Sequence, residues 1–443
     1  MRTVIFGGAV FDGSGSPPSP ADIVMSDGLI TAVTPAGDGD GDNGFDATGM
    51  TVLPGLIDTH VHVMLSGADV LTRLEEPFSY QFYTAQRNLE RTLDCGITTV
   101  RDAGGADLGV KRAAAEALIS GPDLHIAVSM LGQTGGHTDG WLVGGQCLPL
   151  FEAHPGRPEM IVDGPEEMRR RVRELVRAGA DVIKVCATGG VLSPRDNPRH
   201  PQFSAEELSM CVTEAAAAGL SVMAHAQGEQ GIKNALRAGV RSIEHGVFLD
   251  DECIELLLDN EAWLVPTLLV ATSLVEAIDA GARMPAAVED KARTLQEVHR
   301  QSVGRAIAAG VRIAMGTDSG VVAHGDNLRE LALLQEAGLA PHRVLHAATA
   351  SGAQLLGLDD RGSVAEGMRA DLTLITGDPY DFDRYKERIA ATFKAGVAVR
   401  ALGGPGKAVS SETLRRSSFA YRCRVAGGCD GRPPTVSDRS DRP

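Results

Sequence analysis

Between residues 55 and 320, short apolar runs alternate with longer stretches of helical composition, and this alternation constrains the fold more than any other feature of the sequence. Eight runs read as strands: 55–64, 96–105, 124–130, 182–190, 221–226, 241–246, 263–268 and 311–320. Segments rich in Ala, Leu, Glu and Arg separate most of them, such as "PEEMRRRVRELVRAGA" and "SAEELSMCVTEAAAAGL". Strands alternating with helices give βα units and a parallel sheet. Eight such units predict an α/β fold, a (β/α)8 TIM barrel, which typically takes about 250 residues. A chain of 443 residues leaves room for an accessory unit.

That unit is expected from both chain ends. Residues 1–55 hold short β-branched runs broken by Gly, Asp and Pro, and the same texture returns in "GSVAEGMRADLTLITGDP" and "IAATFKAGVAVRAL". The division is therefore 1–55 with 363–403 as a small composite β-sandwich, 56–362 as the barrel, and 404–443 as a tail. The tail is rich in Gly, Pro, Ser and Arg, with eight Lys/Arg against four Asp/Glu, and is expected to be mostly disordered. Its Cys423 and Cys429 are too sparse a pair to specify a metal site.

Composition narrows the function classes. A formal net charge of -16 argues against nucleic-acid binding, which needs phosphate-neutralising cations. No apolar run reaches the roughly 18–20 residues that span a membrane. The N-terminus lacks a signal-peptide apolar region with a cleavage site. Seven scattered Cys without a C-x-x-C pair fit a reducing compartment, so the expected location is cytoplasmic. The expected partner is a small-molecule substrate, not nucleic acid or membrane. A homo-oligomer is compatible with the sequence, but no stretch specifies one.

In a parallel barrel the active site lies at the C-terminal ends of the strands. His60 and His62 close the first strand, and their i, i+2 spacing points both rings to one face. Lys184 ends the fourth strand, His225 the fifth, His245 the sixth and Asp318 the eighth. Imidazole and carboxylate are natural ligands of zinc and similar divalent ions, and this set suits two of them. Lys184 is the odd member. Desolvation and nearby cations disfavour an ammonium. A neutral amine can add carbon dioxide, giving a carbamate with one oxygen for each ion. The alternative is a lysine paired with an acid across the barrel mouth. Asp102, in "VRDAGG", reads as a support for the ligands, since carboxylates behind a metal site commonly fix histidine tautomers. The Gly clusters "CATGGVLSP" and "TGGHTDG" lack the G-x-x-x-x-G-K-[ST] pattern of phosphate loops and read as turns that approach substrate closely.

The stretches "PGLIDTHVH", Lys184, "AHA" at 224–226, "IEHG" at 243–246, "GTDSG" at 316–320 and "ATASGAQLLGLDDRGSVAEGMRADLTLI" together resemble the amidohydrolase superfamily over roughly residues 3–400. "RNLERTLDCGITTVRDAGG", "GQTGGHTDG", "KVCATGGVLSP", "AGVRSIEHGVFLD" and "LVPTL" are similar to its branch of metal-dependent dipeptidases and carboxypeptidases related to imidazolonepropionase. The resemblance implies a binuclear site: His60, His62 and Asp318 on one ion, His225 and His245 on the other, with carboxylated Lys184 and a hydroxide bridging them. It implies cleavage of an amide bond in a dipeptide or N-acyl amino acid. The alternative on the same site is a cyclic amide, as in imidazolonepropionase, or a lactone or phosphoester.

Asp318 is then placed to take the proton of the attacking hydroxide and pass it to the leaving amine. His137, in the Gly-rich loop after the third strand, would hydrogen-bond the carbonyl oxygen as charge develops. Arg195, His200, Gln227 and His324 are candidates to hold the substrate carboxylate, Arg being its natural bidentate partner. Relatives often carry Tyr two positions after the fifth-strand His; here that position is Gln227. A non-catalytic scaffold on this fold should have lost ligands, whereas all six are present.

Overall fold

The computed structural model describes residues 2–67, 75–142, 144–191, 196–281 and 286–401. Arg195 and the 404–443 tail, with Cys423 and Cys429, lie outside the described residues.

All eight expected core strands form. In chain order they are β7 (Leu56–Val61), β8 (Ile97–Asp102), β9 (Asp123–Ile126) with its short continuation β10 (Met130–Leu131), β11 (Val182–Cys186), β12 (Ser221–Ala226), β13 (Ser242–His245), β14 (Trp263–Val265) and β15 (Arg312–Ile313). They pair in parallel in sequence order, β7-β8-β9 and β10 through β15. Backbone bonds join the two runs. Asp181 N donates to Ile126 O at 2.8 Å on one side. On the other, Thr59 N donates to Met315 O at 2.9 Å and His62 N to Ser319 O at 2.6 Å. The result is a curled, TIM-barrel-like parallel array wrapped by helices.

The helices are laid down by local chemistry. Helix Ala205–Ala217 starts on a capping box, with the Ser204 hydroxyl accepting from Glu207 N and the Glu207 carboxylate accepting from Ser204 N. It buries Leu208, Cys211 and Ala215 on one face. Helix Pro165–Arg177 starts with Pro at its first turn and Glu166 and Glu167 beside it, and buries Met168, Val172 and Leu175. The two helices meet through Arg169 and Arg173 on Glu214.

Strands from both chain ends share one sheet. β1 (Thr3–Phe6), β2 (Ala9–Val10), β3 (Ser19–Ser26), β4 (Leu29–Pro35), β5 (Asn43–Asp46) and β6 (Met50–Pro54) join β16 (Leu372–Thr376), β17 (Ile389–Lys394) and β18 (Val397–Ala401). They hydrogen-bond as one nine-stranded sheet in the order β18-β17-β16-β6-β2-β3-β1-β5, with β4 on β3. The seam between the termini is the antiparallel pairing of β6 with β16, Val52 opposite Leu374. Its core includes Ile5, Ile23, Met25, Val52, Leu372 and Phe393. No helix among the described residues is long and apolar enough to cross a membrane.

Candidate active site

β7 delivers His60 and His62 to the end of the array, and the turn after β15 delivers Asp318. One ligand atom from each lies within 4.8 Å of the others, and all three side chains are buried. Asp318 Oδ1 is 3.3 Å from His62 Nε2 and 3.6 Å from His60 Nε2. Asp58 ties the two elements together. Its carboxylate accepts from His60 N, Thr317 N, the Thr317 hydroxyl and the Asn327 amide, at 2.7 to 3.2 Å. Burial pushes the Asp58 carboxyl up to about 6, and these four bonds hold it from rising further. Asp318 and His245 both adopt left-handed backbone, φ 58° and 72°, a conformation that side-chain-bearing residues hold only when their surroundings enforce it.

The ring nitrogens are assigned by their partners. His60 Nδ1 lies 2.7 Å from the Glu244 carboxylate, and His62 Nδ1 2.8 Å from Gly104 O. Both partners are acceptors, so each Nδ1 carries a proton and, in the neutral ring, each Nε2 carries a lone pair. With both rings neutral, two lone pairs and a carboxylate oxygen converge with no hydrogen between them. A cation is what satisfies such a set. His225 Nε2 bonds Gly189 O at 3.0 Å and His245 Nδ1 bonds the Thr267 hydroxyl at 2.7 Å, so each of these rings also has one nitrogen held. Fixing one nitrogen by an outer partner is how metal-ligating histidines are oriented. Burial pushes His60 down to about 4 and His225 and His245 well below their ordinary value, which keeps them in the ligating, neutral form. Burial pulls His62 the same way, but Asp318 outweighs it and raises this ring. Burial likewise opposes ionisation of Asp318, yet the His rings and Lys184 hold it below the usual carboxylate range.

Lys184 is almost wholly buried, and its Nζ has no hydrogen-bond partner among the described residues. The cross-barrel ion pair that sequence allowed is not made among the described residues. Burial lowers its pKa, with Glu244 and Asp318 opposing. The rings close round it: His60 and His245 centroids are 5.2 Å apart, and His225 and His245 4.7 Å. His137 stacks on His225, 4.3 Å between centroids and 13° between planes, with its Nδ1 3.0 Å from Asp196.

Glu244 is the main residue missed by sequence reasoning. It is fully buried between His60 and Arg101, whose guanidinium donates to both of its oxygens at 2.9 and 3.0 Å, and the Ser242 hydroxyl adds a further bond. Burial would raise its carboxyl, but Arg101 and His60 bring it down to about 2. The signal was the one that marked Lys184, a charged residue inside an apolar strand. Asp102 supports the site differently from the expectation. It fixes no tautomer. Its carboxylate accepts the amides of Val63, Gly104 and Ala106, at 2.8 to 3.0 Å, and so shapes the loops after β7 and β8.

The candidate substrate contacts separate. Gln227 is buried beside His225, and its Oε1 has no donor among the described residues. His200 is exposed, in a turn where its carbonyl accepts from Gly189 N. His324 is buried behind the site, one ring nitrogen 3.1 Å from the Thr92 hydroxyl and the other 3.2 Å from His62 O.

Residues 51–399 match the model of the amidohydrolase family. The chain belongs to this family. Among curated relatives, ochratoxinase of Aspergillus niger is 33% identical over 439 residues, covering 91% of this chain and 87% of that protein. Imidazolonepropionase of Cutibacterium acnes is 28% identical over 351 residues, covering 75% and 77%. Among solved structures, a Xaa-Pro dipeptidase with methionine bound in its active site is similar at a TM-score of 0.83 and 32% identity, covering 90% of this chain and 99% of that one. This amidohydrolase is therefore similar to hydrolases of amide bonds, with the site described above at the strand ends.

Proposed function

We propose that this amidohydrolase cleaves an amide bond in a dipeptide or N-acyl amino acid at a centre of two divalent metal ions, zinc by donor chemistry. The observation that carries this is the convergence of His60 Nε2, His62 Nε2 and Asp318 Oδ1, with both Nδ1 atoms held by outer acceptors. His60, His62 and Asp318 would hold one ion, and His225 and His245 the other. The orphaned Nζ of Lys184 fits a carbamate shared by both. Divalent ions in such a site supply Lewis acidity toward the carbonyl and a hydroxide nucleophile at neutral pH.

The chain's own residues do the rest. Asp318 takes the nucleophile's proton and hands it to the leaving nitrogen, base first and acid second. Asp196 holds His137 Nδ1, and His137 would hydrogen-bond the oxygen on which charge develops. Glu244 and Arg101 hold the His60 ring. In this reading 56–362 form the (β/α)8 barrel, 1–55 with 363–403 its accessory β unit, and 404–443 a tail. A reducing, cytoplasmic setting fits the five described cysteines, all of them free.

The test is a hydrolysis screen. Zinc-loaded protein prepared with bicarbonate is offered L-dipeptides and N-acyl amino acids grouped by C-terminal residue. Release of one C-terminal class is the expected result. Silence across that panel, with turnover of cyclic amides, lactones or phosphoesters, would replace the peptide reading by the alternative chemistry.

A further inference from the structure

A cavity of about 40 Å³ opens beside His245, walled by Val247, Val270, Ala271, Leu274 and Leu295 with Gln227 at its edge. His245 belongs to both the cavity and the ligand cluster, so whatever fills the one lies against the other. Holding a water takes roughly 10–15 Å³ by this measure, so the space admits about three to four heavy atoms. The walls are chiefly aliphatic, and two of the polar groups that reach them are already engaged. The Thr267 hydroxyl holds His245 Nδ1, and His299 Nε2 holds His245 O at 2.7 Å. Gln227 differs: it is more than nine-tenths buried, and its Oε1 has no donor among the described residues. An occupant that satisfies this site brings a short aliphatic chain and an N–H. A carboxylate brings only acceptors, so it cannot complete that oxygen.

We propose that this cavity is the subsite for a Val-, Leu- or Ile-sized side chain on a residue flanking the scissile amide, with Gln227 Oε1 accepting an N–H of the same substrate. The inference rests on the amide-hydrolase reading and narrows its substrate class. Gln227 then contacts the substrate backbone beside that side chain.

The experiment measures kcat/KM of the zinc-loaded, bicarbonate-treated full chain on dipeptides and N-acetyl amino acids. Each position flanking the amide is varied over Gly, Ala, Val, Leu and Phe. At one position Val or Leu should exceed both Gly and Phe by about 10-fold or more, since one methylene in an apolar pocket is worth that much. Ala271→Leu fills the cavity and should abolish the preference while the Gly substrates remain in use. Leu274→Ala enlarges it and should move the optimum toward Phe. A flat profile at both positions, or a Val/Leu optimum that neither variant moves, overturns the subsite and leaves the amide reading standing. Silence on every amide removes that reading, and the subsite with it.

Discussion

Glu244 shows how much of the site rests on a residue that touches no substrate. It accepts the N–H of His60 Nδ1 on one side and the Arg101 guanidinium on the other. Glu244→Gln keeps the shape but cannot serve both as an anion. Outer partners of this kind are worth about 10- to 100-fold in metal affinity. Zinc affinity of the variant, from competition with a chelator, should fall by about that factor; unchanged affinity would remove Glu244 from the site. His137→Ala tests the other side of the reaction. Losing one donor to a developing oxyanion costs about 100- to 1,000-fold in kcat. KM should change little, because the bond strengthens only as charge develops. The sequence exposed Lys184 because a charge interrupts an apolar strand. Glu244 gives the same signal in "IEHG", but its partners come from β7 and β8 across the array, and only the closed fold brings them together. Asp102 shows the converse: a carboxylate near the ligands proved to hold backbone amides.

The strands were readable from apolar runs bounded by turns, and all eight formed. What sequence could not supply is how the last one meets the first. β15 is only two residues long, and beyond it the chain is carried to Asp318 by bonds to β7. Gly316 lies on this path. A Cβ there would collide with the Val265 side chain and stand 2.9 Å from His60 Cβ. Gly316→Ala should cost about 1–3 kcal/mol by overpacking, read from urea unfolding, and should lower zinc occupancy by pushing β7 away. A variant of wild-type stability and occupancy would show that the closure tolerates movement. The contrast between Gln227, facing a cavity, and His324, bonded at both ring nitrogens behind the ligands, was not readable. Both follow a strand end, and loop paths decide which of them reaches substrate.

The two chain ends return to one sheet, and an ionic cluster fastens that sheet to the barrel. Asp123 at the start of β9 meets Arg361, Arg369 and Lys394 at 2.8 to 3.0 Å, with Asp371 behind the arginines. Burial opposes its ionisation, but the three cations win and hold its carboxyl below the usual range. A depressed carboxylate adds stability above the unfolded Asp value of about 3.9, and loses it as pH falls toward the folded value. Asp123→Asn should therefore cost about 2 kcal/mol at pH 7, less than a fully enclosed pair because Asp123 keeps some contact with water. The gap to wild type should narrow below about pH 4; a gap that stays constant with pH would mean that packing, not charge, joins the two parts. The sequence leads to the expectation of a small composite sandwich; hydrogen bonding joins the strands of both ends in one nine-stranded sheet, and alternation along each strand does not record which strands pair.

The claim on which all of this depends is that His60, His62, Lys184, His225, His245 and Asp318 hold two divalent ions. Metal per chain, measured by mass spectrometry after zinc and bicarbonate loading and desalting, tests it most directly in wild type and Lys184→Ala. The wild type is expected to hold about two zinc ions, and the variant markedly fewer. A wild type that retains one ion or none, or a Lys184→Ala protein that keeps two, would contradict it.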